Sequence, residues 1–234
     1  SYCVGTVADE KDNALYWLIS GPVYAGLNDT ISRDMILQYK DDKITPVLVD
    51  IYRIRTNYGA HDNGANTLLV PPKYDGLGGF TPYQIEVGQV AQFDNALAQI
   101  SYFGNNPVVA VSTPDANGNV TVTLANSFTI PVLSGGNSQS SSFIFSNPDG
   151  KRTLNFMPGR LITGINIIND FLFWTDNHSE PKKINIKNCI AGSQSLDTAT
   201  RLHVPGREIT ISDNIIIQEK HITVAKKAPQ TPLL

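Results

Sequence analysis

Short apolar runs separated by polar turns fill the start of this chain, and their spacing predicts strands. Four such runs follow one another, at residues 4–8, 14–20, 34–39 and 44–50. The charged turn 40–43 lies between the last two, as a hairpin requires. Because four short consecutive strands make up one blade of a β-propeller, the pattern predicts the first part of a blade domain over residues 1–56.

A second copy of the pattern follows later in the chain. Its predicted strands are residues 161–168, 171–176 and 182–186. In both copies a glycine, Gly5 or Gly164, precedes a turn rich in Asp and Asn, and the next strand carries leucine, an aromatic residue and tryptophan. This self-similarity predicts an internal repeat, with the second blade part over residues 158–218. The alternative is a pair of unrelated buried strands.

The repeat defines a blade motif whose predicted role is structural. Its residues are Leu15, Tyr16, Trp17, Leu172, Phe173, Trp174 and Asp176. The strand that carries them is expected deep in a four-stranded sheet, where large aromatic side chains fill the space between neighbouring blades. Asp176, at the end of the second strand, is expected to cap backbone groups as the chain turns.

Between the copies, residues 57–157 are rich in Gly, Asn, Ser and Pro. Strands are predicted at 83–87, 108–112, 119–124 and 142–145, with a hairpin turn at 115–118 and a surface loop at 134–142. Residues 91–102 fit either a short helix or a strand. Several short strands at this spacing predict an inserted β-sandwich-like domain. The fold class is therefore all-β: partial propeller blades of antiparallel four-stranded sheets around a β-rich insert.

The end of the chain changes character again. Strands are predicted at 207–211 and 215–218, and residues 219–234 end in a proline-containing stretch that favours an extended linker or arm. The chain starts at Ser1 directly in a strand-like run, which favours a segment of a longer protein.

Composition narrows the classes of function. With 234 residues, 41% hydrophobic and 17% charged, the chain can bury a sizeable core. A formal net charge of −3 excludes a protein built chiefly to grip a nucleic-acid backbone. No stretch approaches the roughly 20 apolar residues that cross a bilayer. Cys3 and Cys189 are too far apart to suggest a disulfide framework or a zinc site, and both are predicted to be small buried apolar residues.

No pattern favours an enzyme, a cofactor or a metal. The histidines lack metal-type spacing: His61, His178, His203 and His221. The pair His61-Asp62 fits a polar loop better than a base with its orienting carboxylate. Asp176 and Glu180 could form a glycosidase carboxylate pair, but capping of a turn explains them more simply. The calcium-like Asp41-Asp42 and Asp115-Asn117 pairs fit turns, and the glycines at 76–79 precede no helix that would hold a phosphate.

One concentration of basic residues is present, at Lys182, Lys183, Lys187, Lys226 and Lys227. It fits a solvated strand face, and the alternative is a surface that faces DNA in a channel.

The second motif supports a resemblance to known families. Residues 172–177, LFWTDN, resemble the YWTD blade motif of β-propellers. The longer run 169–186, together with 219–229, resembles tail proteins of crAss-like podoviruses of Bacteroidetes, described as stabilisation or muzzle (tail nozzle) proteins. The resemblance covers mainly residues 1–50 and 158–230.

This resemblance implies a structural virion protein in a short phage tail. Such proteins form rings, commonly hexamers, around the DNA channel, and help to close it and retain packaged DNA. The implied partners are other copies of the chain, neighbouring tail proteins, and DNA that passes without specific binding. The resemblance does not cover the insert, but its polar, loop-rich sequence makes it the natural place for contact with neighbouring tail proteins or the host surface. Two blades cannot close a propeller of at least about four, so further blades or partner chains are expected to complete it.

Two alternatives come from other classes. One is a secreted glycan-binding or glycoside-hydrolase-associated β-propeller protein, which should show aromatic residues and carboxylates converging in one cleft. The other is a YWTD-type receptor ectodomain, which the absence of the expected disulfides disfavours.

Overall fold

The computed structural model describes residues 1–21, 31–56, 60–61, 65–74, 79–94, 106–128, 142–203, 205–206 and 215–225. The chain divides into two compact units. Unit 1 comprises Ser1–Val23, Arg33–Ile51 and Arg152–Leu234, and unit 2 comprises Tyr24–Ser32 and Tyr52–Lys151. The sequence-based boundaries at 56, 157 and 218 stay predictions, and the units are described one at a time.

Strands make up most of the described elements, and the helices are short. In chain order the strands are β1 (Tyr2–Asp9), β2 (Ala14–Ser20), β3 (Ile31–Lys40), β4 (Lys43–Arg55), β5 (Ala60–His61), β6 (Thr67–Val70), β7 (Lys73–Tyr74), β8 (Phe80–Thr81), β9 (Val90–Asp94), β10 (Asn106–Val111), β11 (Val120–Leu124), β12 (Ser142–Ser146), β13 (Gly164–Ile168), β14 (Phe171–Thr175) and β15 (Lys182–Asn185). The α-helices are α1 (Ile186–Gly192) and α2 (Glu219–Ile222). The predicted β class is confirmed.

In unit 1, the first sheet follows the chain in the order β1-β2-β3-β4. The turn between β3 and β4 has φ of 50° at Asp41 and 57° at Asp42, which is the two-residue type I′ geometry that matches the twist of a hairpin. The far edge of β4 is occupied by a later segment, because Thr200 donates its N–H to the Val49 carbonyl and accepts the Val49 N–H on Oγ1. The four strands predicted at the start of the chain are confirmed.

The second sheet of unit 1 is the antiparallel meander β13-β14-β15. A two-residue turn joins its first two strands, with Asn169 at φ 54°. The third strand is one residue shorter than predicted, because Ile186 begins α1 and Asn185 caps that helix by accepting the N–H of Asn188.

The two sheets of unit 1 share one apolar core. Tyr16 and Leu18 of β2 belong to the same buried cluster as Leu172 and Trp174 of β14. The sheets approach closely at Gly5, where an added Cβ would lie 2.7 Å from Cδ1 of Ile165. Glycine at this position therefore lets β1 and β13 come together.

Unit 2 contains the end of β4 and a run of antiparallel pairings. Within it the strands follow the order β4-β12-β9-β10-β11-β6-β5, and β7 pairs with β8. Its core includes Leu68, Val122, Phe143 and Phe145, each at most 2% exposed. The predicted turn 115–118 is confirmed, since the Asp115 carboxylate accepts the N–H groups of Asn117 and Asn119.

Several local predictions were wrong. Residues 83–87 form no strand, although Tyr83 and Ile85 are buried and gave the alternating pattern. Residues 215–218 hold only an isolated bridge from Ile216 to Arg201. Cys3 is exposed on the first strand, whereas Cys189 is buried as expected.

Other predictions fall partly beyond the described residues. The ambiguous segment 91–102 contains the end of strand β9, and its remainder from 95 lies outside the described residues. The predicted arm 219–234 begins with helix α2. Three further predicted segments lie outside the described residues: most of the loop (134–141), the strand 207–211 and the tail 226–234.

We expect Trp174→Ala to lower the free energy of unfolding by about 3–5 kcal/mol, because it removes a large side chain from the core between the sheets. Phe171→Ala is the matched control, since Phe171 is 39% exposed on the same strand. Its cost should stay below about 1 kcal/mol. Urea denaturation followed by circular dichroism measures both, and equal losses would contradict this assignment of the core.

Candidate functional site

Six of the seven motif residues lie on β2 and β14, at the contact between the two sheets of unit 1 and on the faces turned away from it, and Asp176 directly follows β14. Tyr16, Leu172 and Trp174 are buried. Leu15, Trp17 and Phe173 are half-buried. Each strand therefore presents one motif face to the shared core and another outward.

The two motif hairpins have the same register. Gly5 lies opposite Leu18 and Thr6 opposite Trp17 in the first hairpin. Gly164 lies opposite Thr175 and Ile165 opposite Trp174 in the second. The residue after the glycine thus faces the tryptophan in both, although the loops differ in length, at residues 10–13 and 169–170. The sequence alignment of the copies therefore corresponds to one pairing geometry.

Equivalent positions in the two copies nevertheless have opposite burial. In β2 the aromatic Tyr16 is buried in the core and Trp17 is half-buried on the other face. In β14 the aromatic Phe173 is half-buried and Trp174 is in the core. Because side chains alternate between the faces of a strand, the two sheets turn non-equivalent faces towards each other.

This pattern distinguishes two ways of stacking repeats. Two copies related by a two-fold axis bury the same positions on both sides, whereas a head-to-tail contact buries the front of one copy against the back of the other. Burial of Tyr16 in the first copy and Trp174 in the second is the head-to-tail pattern. The sheets of unit 1 thus pack with opposite faces of the motif turned towards the shared core.

Each sheet also has an apolar face turned away from this contact, and on the first sheet Met35 and Leu37, which lie opposite Ile19 and Trp17, are buried on that face. We call Leu15, Trp17, Ile19 and Tyr39 the β2 outer face; the rings of Trp17 and Tyr39 lie 6.0 Å apart, and Tyr39 is 38% exposed.

The opposite sheet has a second apolar surface. We call Ile168, Phe171 and Phe173 the β14 outer face; the two rings lie 6.4 Å apart, and Ile168 is 52% exposed. Phe171 and Ile168 are direct cross-strand partners, so their side chains share this side of the sheet.

Asp176 organises the turn that follows β14. Its Oδ1 accepts the N–H groups of His178 and Ser179 and the Ser179 hydroxyl, at 3.0, 2.8 and 3.1 Å. Burial acts to raise the pKa of Asp176, but these hydrogen bonds outweigh it and hold the pKa below its usual range. With Asn177 at φ 60°, the carboxylate fixes a turn, which is the capping arrangement expected from the sequence.

Lys182 is buried, which corrects its placement on a solvated basic face. Its ammonium donates to Oε1 of Glu219 at 2.9 Å, to the hydroxyl of Ser179 and to the carbonyl of Glu180. The pair ties helix α2 to the second sheet. Lys183 remains exposed, Lys187 pairs with Asp170, and residues 226 and 227 lie outside the described residues.

A second polar cluster, which the sequence analysis missed, anchors the segment 152–156 within unit 1. Arg152 donates to Asp34 through Nη2 at 2.5 Å and Nε at 3.1 Å, and Asp34 also accepts the N–H groups of Gly21 and Phe156. Asp50 accepts the Leu154 N–H at 2.8 Å. These bonds place Phe156 with its ring edge-on to Trp174 at 6.3 Å.

Of the remaining candidates, His178 lies in the turn that Asp176 organises and His221 lies on helix α2. His178, His203 and His221 lie in different surroundings, and the side chain of His61 is outside the described residues, as are Asp62 and residues 76–78. Among the residues that the structure describes, no group of three His, Cys, Asp or Glu side chains could hold a metal ion. Within the same residues, no helix is long and apolar enough to cross a membrane.

We expect stability to fall as pH rises from about 4 to about 7 because of Asp50. Burial raises its pKa from 3.8 to about 7, against the opposing Leu154 hydrogen bond and with a smaller contribution from Asp34. The folded protein therefore keeps a proton that the unfolded chain releases across this window, which lowers the free energy of unfolding by about 1 kcal/mol per pH unit.

Asp50→Asn keeps an oxygen acceptor and removes the titration. The difference in unfolding free energy between wild type and variant should change across pH 4–7 and level off above pH 7. Thermal or urea denaturation at several pH values measures it, and parallel curves would rule out this contribution.

We expect Glu219→Gln to destabilise the protein by roughly 1–3 kcal/mol, because it leaves the buried Lys182 ammonium without its carboxylate. Adding Lys182→Met should recover at least half of the loss, since no buried charge then remains. Lys187→Met, which breaks an exposed pair with Asp170, is the control and should change stability little. Urea denaturation tests this, and no recovery in the double variant would contradict it.

Comparison with known proteins adds no family: no family model matches the chain, and no curated protein and no solved structure matches it either.

Proposed function

We propose that this chain is a structural, non-enzymatic virion protein of a short phage tail, at its muzzle or nozzle. Its role is assembly of the tail tip, closure of the DNA channel and retention of packaged DNA. The observation that carries this proposal is the head-to-tail packing of the two motif sheets. The side of β2 that carries Tyr16 packs on the side of β14 that carries Trp174. Rings are built from contacts of this kind, because each copy leaves one front and one back free.

The two sheets fit adjacent propeller blades. The first has the four meandering strands β1–β4, and the second has β13–β15. Neighbouring blades pack face to face with aromatic side chains between them, which is the situation of Tyr16, Phe156 and Trp174. The β2 and β14 outer faces are then the positions of further blades. The β-rich residues of unit 2 are the insert, a sandwich-like region for contact with neighbouring tail proteins or the host.

The segments that carry the resemblance to phage muzzle proteins have a consistent structural role. Residues 169–186 contain the strands β14 and β15 of the second sheet, and residues 219–222 form helix α2. The ion pair between the buried Lys182 and the more exposed Glu219 joins these two segments. DNA passes through such a ring without tight binding, which agrees with a net charge of −3.

The test is whether the protein belongs to the particle. An antibody against the chain should decorate the tail tip of purified crAss-like podovirus particles in electron micrographs, and mass spectrometry should recover peptides of both motifs. Particles that lack the protein, together with specific hits in a glycan-array screen, would overturn the proposal in favour of the glycan-binding alternative.

The role of the insert has its own test. Deletion of residues 58–156 should impair assembly, adsorption or DNA retention of the particle. Unchanged particles would remove the insert from the proposed function and leave the blade role in place.

A further inference from the structure

We propose that residues 152–156, which we call the strap, form a pH-sensitive switch in unit 1: the strap stays closed on the core while Asp50 keeps a proton, and it opens when Asp50 ionises. Opening withdraws Phe156 from Trp174 and admits water to the layer between the two sheets. The switch goes beyond the proposed function and does not rest on it.

The strap is held by two buried carboxylates from neighbouring strands. Asp34 of β3 accepts the Phe156 N–H at 3.0 Å, and Asp50 of β4 accepts the Leu154 N–H at 2.8 Å. Asp34 is fully buried and Asp50 is 5% exposed. Because residues 152–156 belong to no helix or strand, these bonds take the place of a sheet ladder. A segment held by so few backbone bonds can open without unfolding the whole unit.

One cation lies between these carboxylates and sets their charge balance. Arg152 donates to Asp34 through Nε at 3.1 Å and through Nη2 at 2.5 Å, and its side chain is 11% exposed. With Asp50 protonated, the cluster of Asp34 and Arg152 is neutral. Ionisation of Asp50 adds a negative charge without its own cation, at a site that is almost closed to water, and such a charge is costly.

The surroundings of the cluster do not supply a second cation. The segments beside β4 approach at Thr200 and Ile217, which are uncharged, and the N–H of Ile217 donates to the Thr200 carbonyl. Arg33 on β3 pairs with Asp197. Among the described residues, the charged groups that act most strongly on Asp50 are therefore Asp34 and Arg152.

The other side of the strap is apolar and belongs to the core. Leu154 and Phe156 are each 3% exposed and lie in the same buried cluster as Trp174, against which the Phe156 ring packs edge-on. The closed strap thus covers apolar surface with one side and holds its N–H groups to the carboxylates with the other. Movement of the strap couples the charge state of Asp50 to the contact between the sheets.

The shift at Asp50 gives the pH range of the switch. Burial raises the pKa of this carboxyl from 3.8 to about 7, and the negative charge of Asp34 adds a smaller contribution. An open strap exposes Asp50 to water and returns its pKa to the ordinary value. The ratio of open to closed strap therefore rises by up to about tenfold per pH unit between about pH 4 and 7, and levels off above that range.

Native-state hydrogen exchange of the full chain, followed by NMR, measures this opening at single amides. The Leu154 and Phe156 N–H groups report the strap, and the Leu172 N–H in the middle of β14 reports unfolding of the sheet. After correction for the chemical exchange rate, strap opening should increase about tenfold from pH 5 to 6 and about fivefold from pH 6 to 7. Strap opening should also exceed opening at Leu172 and depend little on low concentrations of urea, because it exposes little surface.

Two variants assign the effect to Asp50. Asp50→Asn should open to the same extent at every pH, because it removes the titrating group. Asp41→Asn is the matched control, since Asp41 lies in the exposed turn between β3 and β4, and it should keep the wild-type pH profile. If Asp50→Asn fails to fold, the comparison of strap and Leu172 amides in wild type still decides whether the strap opens separately.

Three results would overturn the switch. The first is strap amides that exchange together with Leu172, with the same extent of opening and the same urea dependence. The second is strap opening in wild type that does not change between pH 5 and 7. The third is a pH profile that persists in Asp50→Asn or disappears in Asp41→Asn.

Discussion

The apolar layer between the two sheets is the contact on which unit 1 depends. Tyr16 and Leu18 from one sheet meet Leu172 and Trp174 from the other, and each contributes about 1.5–3 kcal/mol by leaving water. Because a strand can turn only alternate residues to one side, this layer fixes which motif residues point outward. The half-buried faces are therefore a geometric consequence of the core.

Buried polar groups hold the segments that complete this layer. Asp34 and Arg152 anchor the segment that brings Phe156 against Trp174, and Lys182 with Glu219 ties α2 to the second sheet. Breaking one partner of such a pair leaves an uncompensated charge, so these contacts specify position more than they add stability. The polar clusters of unit 1 therefore have a structural explanation.

Much of the fold could be predicted because its signals are local. Alternating apolar and polar residues predict the strands at 14–20 and 171–176. The residue types that favour turns predict the turns at Asp41-Asp42 and 115–118. Helix α1 was missed because its seven residues are too few for a helical period, although Asn185 as a cap was a usable signal. The false strand at 83–87 arose because loop residues can also be buried alternately.

By itself, the sequence determined that two hairpins share a motif and a register, since Gly5 and Gly164 and the tryptophans stand at matching positions. The sequence could not determine which side of each strand faces the core, because both sides of β2 and β14 carry large apolar side chains. Only the tertiary structure decided that Tyr16 and Trp174 face inward and Trp17 and Phe173 outward. The physical reason is that a side of a strand becomes buried only through the sheet packed against it, and that sheet comes from residues more than a hundred positions away.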